Sequence, residues 1–231
     1  IVLVIQALIF GDGGVLALGL NIINMGAIAG FVGFYSYKLC SKKIPKPVSA
    51  GIAGWVACVI AALCCALELA LVGAIPVAVG VPTMFVYHAI IGVIEGFITV
   101  IIVSLIFKVR PELTGDTEKK PVSIKKFVAI GLIIALVIGC GAVFFASSNP
   151  DGLDSTFLVN EGQKQIFAPS TGDEIAGEEL NPITWNAPLA DYSLGDSKIG
   201  GIIALVIGIV AALAAILLVA RAAYAAQTKK E

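Results

Sequence analysis

The sequence predicts an all-α, polytopic membrane protein: about five full transmembrane helices, one partial helix and one large extracytoplasmic loop. Three observations carry this. Hydrophobic residues make up 58% of the 231-residue chain, and its mean hydropathy is +0.99, well above that of ordinary soluble domains. Apolar runs longer than the roughly 18 residues that mark a membrane helix recur along it. Charged residues, 13% of the total, are gathered into clumps between those runs. Membrane lipid is therefore a partner by composition, and a formal net charge of −1 makes no case for nucleic acid as one.

Ile1–Phe10 is apolar but only half the ~20 residues that a span needs, so the sequence reads as the later part of a longer protein. No basic stretch or cleavage site suggests a signal peptide. Gly11-Asp12-Gly13-Gly14 then breaks the helix. The next run, about Val15 to Tyr37, is apolar apart from Asn21 and Asn24. It closes on Tyr35 and Tyr37, aromatic residues of the kind that gather at a membrane boundary. Lys38, Lys42, Lys43 and Lys46 follow, with Pro45 and Pro47 to stop a helix. The third run, about Val48 to Val72, carries Glu68. A loop with Pro76 and Pro82 leads to the fourth, about Thr83 to Phe107, which carries His88 and Glu95. A second basic loop holds Lys108, Arg110, Lys119, Lys120, Lys125 and Lys126. The fifth run, about Phe127 to Phe145, precedes the polar stretch Ala146–Asp196. The last run, about Lys198 to Tyr224, ends in a tail with Lys229 and Lys230.

If each full run crosses once, 13 of the 15 basic residues fall on one side. The positive-inside rule makes that side, and with it the C-terminus, cytoplasmic. The glycine break and the polar stretch then lie outside. That stretch holds Asp151, Asp154, Glu161, Asp173, Glu174, Glu178, Glu179, Asp191 and Asp196 against Lys164 alone. It reads as a solvated loop or as a weak funnel for cations. Cys40, Cys58, Cys64, Cys65 and Cys140 all sit in or beside apolar runs, where small buried residues are expected rather than a disulfide framework.

Polar groups inside the apolar runs carry whatever chemistry is present, because they are costly in hydrocarbon unless they face a partner, a cavity or water. Asp12, Asn24, His88 and Glu95 are the candidates for a metal-related site. His88 and Glu95, seven residues apart, share a helix face. They could form a ligand with its orienting partner, a proton relay, or a packing lock in which each is satisfied by the other or by backbone. Glu68, near the outer end of its run, could simply reach water. Gly26–Gly30 and Gly51–Gly54 fit close helix contacts better than ligand roles. Walker, His-Glu-x-x-His and Gly-x-Ser-x-Gly patterns are missing. An aspartyl protease would need a second aspartate within a span, and a multi-histidine centre more than one histidine.

Gln6-Ala-Leu-Ile-Phe-Gly-Asp-Gly-Gly-Val-Leu-Ala-Leu-Gly-Leu-Asn-Ile-Ile-Asn-Met25 closely resembles the CbiM/NikM family, the substrate-binding membrane component of nickel/cobalt energy-coupling-factor transporters. Cys65-Ala-Leu-Glu-Leu-Ala-Leu71 and His88-Ala-Ile-Ile-Gly-Val-Ile-Glu-Gly96 resemble its later helices in the same order. Asn149-Pro-Asp-Gly-Leu153 is similar to the Pro-Asp-Gly-Leu-Glu motif of the family's NikN-like two-helix unit, with Asp154 in place of the final Glu. The resemblance implies a membrane domain over 1–113, a cytoplasmic linker over 114–126, and a two-helix unit over 127–231 with its loop at 146–197. It implies transport of Ni²⁺ or Co²⁺ with no tightly bound cofactor, possible service to cobalamin synthesis, and no enzymatic activity or ATPase of its own. A transmembrane coupling subunit and cytoplasmic ATPases would be its partners in the cell membrane. Its principal metal ligands are expected before Ile1, leaving Asp12, Asn24, His88 and Glu95 to surround the site or line its approach. The rival readings are a non-transporting membrane anchor and a proton-coupled secondary transporter.

Overall fold

Small residues decide how the central helices pack. Helix α4 (Lys46–Leu71) and helix α5 (Val77–Val109) each begin just after a proline, Pro45 and Pro76, held in an extended conformation. Proline disfavours helix in the residue before it and leaves no amide unsatisfied at a helix start. The buried side of α4 is built from Ser49, Gly51, Ala53, Ala57, Ala61, Ala62 and Ala66. That of α5 is Gly80, Thr83, Met84, Gly92 and Gly96. In hydrocarbon, helices associate through van der Waals contact rather than through water exclusion, and small residues let their backbones approach. The closest approach is at Gly51 and Gly96. A Cβ on Gly51 would lie 2.6 Å from the Gly96 carbonyl oxygen, and one on Gly96 would lie 2.8 Å from that of Gly51.

The computed structural model describes residues 1–114, 122–145, 151–162, 165, 185–195 and 197–228. Lys119, Lys120, Asn149, Pro150, Lys164, Asp173, Glu174, Glu178, Glu179, Asp196, Lys229 and Lys230 lie outside the described residues. So does most of the 146–197 loop. The described chain is helical, without strands. Its elements begin with α1 (Val2–Ile5), which continues as a π-helical turn Gln6–Phe10. A second helix follows as α2 (Leu18–Asn21), a π-helical stretch Ile22–Ile28, and α3 (Ala29–Cys40). After α4 and α5 come the 3₁₀ turn Pro111–Thr114, α6 (Ile124–Phe145), α7 (Gly152–Asn160), the 3₁₀ turn Ala190–Tyr192 and α8 (Lys198–Thr228).

Five of these helices are long and apolar enough to cross a membrane: Leu18–Cys40, Lys46–Leu71, Val77–Val109, Lys125–Phe145 and Lys198–Ala225. Large apolar side chains such as Phe31, Phe34, Val93, Phe97, Val137 and Leu218 stand exposed on them, as lipid contact requires. Three sequence expectations shift. Pro82 lies inside α5 rather than in the preceding loop, and Pro47 sits in the first turn of α4 rather than before it. Pro47 falls in the first turn, where no intrahelical bond depends on its missing N–H, whereas Pro82 lies in the second turn and forgoes a bond to the Ala78 carbonyl. Of the two glycine runs, only Gly51–Gly54 makes close helix contacts. Gly30 has no neighbour within 4 Å, and Gly26 meets only Ile22 of its own helix. The cysteines are free and half-buried rather than fully buried.

The chain divides into two compact units. One comprises Ile1–Gly19, Ser123–Ser147 and Pro182–Glu231, the other Leu20–Val122 and Ser148–Asn181. In the first, α8 packs on α6 and α1, and Phe10, Leu189 and Ala204 form a small core. In the second, α4 lies between α3 and α5, with α7 on α5.

Gly51→Val should lower stability by about 2–3 kcal/mol, because the added atoms meet backbone that cannot rotate away. Gly30→Ala, with open space around it, should be neutral or stabilising by up to about 1 kcal/mol. Thermal melts of the two purified variants in one detergent check the contrast.

Candidate functional site

The glycine break is built as its composition requires. Gly11, Gly13 and Gly14 adopt φ of 71°, 72° and 65°, values that a side chain makes unfavourable. Gly11 ends the π-helical turn, and the carbonyls left exposed there find partners on the later chain. The Leu189 amide donates to the Ile9 oxygen at 2.9 Å, and the Trp185 indole N–H donates to that of Leu8 at 2.9 Å. Asp12 is exposed but held. Gln6 Nε2 donates to its Oδ2 at 3.0 Å and to the Tyr192 hydroxyl at 3.2 Å. That hydroxyl donates in turn to Asp12 Oδ2 at 2.5 Å. Tyr192 has φ of 54°, rare for a bulky residue, and its ring stacks on Phe10 at 4.5 Å. Burial, then the hydrogen bond to Asp12, pushes its pKa up to about 12.

The other unit holds the remaining candidates. Asn24 is buried at 4% exposure within the π-helical stretch, where the Ala29 amide reaches back five residues to the Asn24 carbonyl. Its Nδ2 donates to Glu68 Oε2 on α4 at 2.7 Å. Glu68 therefore has an intramolecular partner, and its approach to water is not its only means of satisfaction. On α5, His88 Nδ1 lies 2.9 Å from the Met84 carbonyl oxygen. A carbonyl can only accept, so Nδ1 carries a proton, and in the neutral ring Nε2 keeps the lone pair. The Cys58 thiol on α4 donates to the His88 carbonyl oxygen at 3.8 Å and lies close to the Glu95 side chain. One helical turn back along α4, the Trp55 indole N–H donates to the Ala89 carbonyl oxygen at 2.9 Å.

His88 is thus held by backbone, with Cys58 beside both it and Glu95. Asp12 belongs to the other compact unit. Among the described residues, no three His, Cys, Asp or Glu side chains gather closely enough to hold a metal ion. Sequence reasoning missed Cys58 as the residue beside both His88 and Glu95, and it missed the Asn24–Glu68 bond. The spacing Cys58-x₆-Cys65-x₂-Glu68 along one helix was the signal available for both.

The Asp-Gly-Leu motif acquires a structural meaning. Asp151 caps α7, its Oδ1 accepting from the Leu153 amide at 2.7 Å and the Asp154 amide at 2.8 Å. Gly152 faces His88, and a Cβ there would lie 2.7 Å from the imidazole Cε1. Leu153 packs against the buried cluster of Ala62, Ala66 and Met84.

Five apolar spans that carry a few polar side chains define a multi-pass helical membrane protein. Residues 1–113 match the family model for the CbiM cobalt uptake substrate-specific transmembrane region, and residues 125–224 match the PDGLE domain. The chain belongs to the family of nickel and cobalt transport proteins in which these two parts are fused. It is 33% identical to the "Putative fused nickel transport protein NikMN" of Archaeoglobus fulgidus, over 93% of this chain and 67% of that protein. It is 26% identical to the fused nickel transport protein NikMN of Rhodobacter capsulatus, over 94% of this chain and 71% of that one. A metal transport protein of Methanocaldococcus jannaschii, also named as putative, is 38% identical over 52% of this chain, a match covering 58% of its own length. No solved structure matches the chain.

Two outcomes test the site's geometry. In a wild-type minus Tyr192→Phe difference titration, the phenolate absorbance should appear near pH 12, and Asp12→Asn should lower that midpoint. The raised pKa favours the neutral phenol, so its stabilisation is full below the ordinary tyrosine value near 10 and is lost as pH rises through about 12. In the second test, Asp151→Ala should cost about 1 kcal/mol as a lost cap. Gly152→Ala should cost more in a wild-type background than beside His88→Ala, a coupling that melts of the four proteins would measure.

Proposed function

We propose that this chain is the substrate-specific membrane component of an uptake system for Ni²⁺ or Co²⁺, energised by separate ATPases through a transmembrane coupling subunit. The observation that carries the reading is the succession of the two family matches within one chain. Residues 1–113 are proposed as the metal-handling membrane domain, 114–126 as the cytoplasmic linker and 127–231 as the two-helix unit. The basic loops and the C-terminus would face the cytoplasm, as the placement of lysine and arginine favours. The chain works as a transporter subunit rather than an enzyme.

Asp12, Asn24, His88 and Glu95 serve the cargo as polar surroundings and approach rather than as its closed ligand set. Nitrogen-rich ligation suits Ni²⁺ and Co²⁺, and one imidazole with dispersed carboxylates cannot by itself select them. What these residues supply is polarity at fixed places inside apolar spans. Asp12 is pinned by Gln6 and Tyr192, and His88 presents a bare Nε2 fixed by its Nδ1 bond to Met84. Cys58 bonds the His88 backbone and lies beside Glu95. Fixed polar groups lower the cost of bringing a charged ion in from water.

The deciding measurement is ⁶³Ni²⁺ and ⁵⁷Co²⁺ accumulation by cells expressing the protein from its native locus, with and without its ATPases. Accumulation that stops on ATPase deletion supports the reading. Accumulation abolished by a protonophore and indifferent to the ATPases would favour the secondary transporter, and none at all would favour the anchor. Under the uptake reading, His88→Ala reduces accumulation roughly tenfold, whereas an anchor would tolerate it.

A further inference from the structure

Asn24 is the polar residue whose placement the fold leaves unexplained. It is 96% buried by its 4% exposure, and its Nδ2 is used by Glu68. Its Oδ1, on the same amide and alongside that carboxylate, is buried with no hydrogen-bond partner among the described residues. Buried amide oxygens are almost always paired, because leaving one dry forfeits its hydration without return. A simple packing lock would use both ends of the amide or bury neither. The backbone is unusual at the same place, since Asn24 lies in a π-helical stretch, a feature found mostly where a helix serves a function.

Glu68 completes the observation. It is half-buried, so its carboxylate stays reachable while Asn24 backs it from the protein side. Cys65, three residues earlier on the same face of α4, lies in the electrostatic field of both Glu68 and Asp151. An orphan amide oxygen beside a carboxylate, with further negative charge close by, is arranged to accept positive charge. We propose that Asn24 and Glu68 form a low-affinity position for a divalent cation inside the membrane-spanning bundle, a station that the cargo occupies on its way. The cargo's identity rests on the uptake reading above, but cation binding by the pair does not.

The chemistry fits a station rather than a resting site. Two oxygen donors leave most of a divalent ion's coordination to water. They do not satisfy the preference of Ni²⁺ or Co²⁺ for nitrogen, so the ion is held without being trapped. A route must bind its ion well enough to admit it and weakly enough to release it.

The test is infrared difference spectroscopy of the purified full chain in detergent, titrated with CoCl₂ and separately with NiCl₂. One carboxylate band and one side-chain amide band should shift together in the wild type. Glu68→Gln should abolish the carboxylate shift and weaken binding at least about tenfold, and Asn24→Leu should abolish the amide shift. Asn24→Asp, which trades the Nδ2 donor to Glu68 for a second carboxylate oxygen, should tighten binding by about tenfold at a pH high enough that the two carboxyls no longer share a proton. Thermal melts report folding, and if Glu68→Gln fails to fold, Asn24→Asp decides alone. Shifts that survive both Glu68→Gln and Asn24→Leu, or an Asn24→Asp variant that binds no tighter, overturn the proposal. Isotope accumulation separates the two readings. If cells take up nickel while Glu68→Gln binds and transports as wild type does, the station falls and the uptake reading stands. If cells take up neither metal while the bands still move in a Glu68-dependent way, uptake falls and the cation position stands.

Discussion

The close crossing of α4 and α5 at Gly51 and Gly96 is the contact on which the second unit depends. Helices in hydrocarbon gain little by hiding apolar surface from one another, since lipid is as apolar as leucine. They must gain from contact itself, and contact is best where backbones nearly touch. Gly51 and Gly96 allow this, with no room for a Cβ on either. With the helices this close, donors on α4 reach α5 backbone: the Trp55 indole N–H at Ala89 and the Cys58 thiol at His88. A larger residue at the crossing would leave those donors without acceptors in a medium that offers none. The small-residue seam therefore does more than pack. It decides which polar groups can be tolerated within the spans.

The same constraint explains why the Asp-Gly-Leu segment has its form. Placing a second element against an intramembrane histidine requires a backbone that approaches without a side chain, hence Gly152. The amides at the start of that short helix need an acceptor, hence Asp151 immediately before it. The helix must be anchored on apolar surface, hence Leu153 against Ala62, Ala66 and Met84. A motif that looks like a signature in the sequence is, in the fold, one contact solved by three adjacent residues. It also links the two family segments, because α7 comes from the PDGLE match and α5 from the CbiM match.

Most of the fold was legible because membrane helices announce themselves by length and composition. Each full apolar run became a helix within a few residues of its expected ends. The exception is the start of α5, six residues earlier than expected, because Pro82 is accommodated inside the helix instead of stopping it. The glycine break was legible for a similar reason: consecutive glycines beside an aspartate have few uses other than positive φ. The polar contacts were not legible. The pairing of Asn24 with Glu68 depends on which face of one helix meets which face of another, and the moment-free apolar surroundings of a membrane helix do not encode that register. Nor does spacing reveal that Tyr192, 180 residues from Asp12, would be its hydrogen-bond donor.

What distinguishes the polar groups is how completely each is satisfied. Asp12 has two donors on one oxygen, His88 has a carbonyl for its proton, and Cys58 has the His88 carbonyl for its own. These are arrangements that hold shape, since each buried donor has found an acceptor and loses stability if moved. Asn24 is different, with one end of its amide engaged and the other dry. Leucine in its place would remove the dry oxygen but would also leave Glu68 without the Nδ2 donor. Keeping an under-satisfied acceptor inside a span is costly in the resting protein. In the cation position proposed for Asn24 and Glu68, an arriving positive charge would offset that cost.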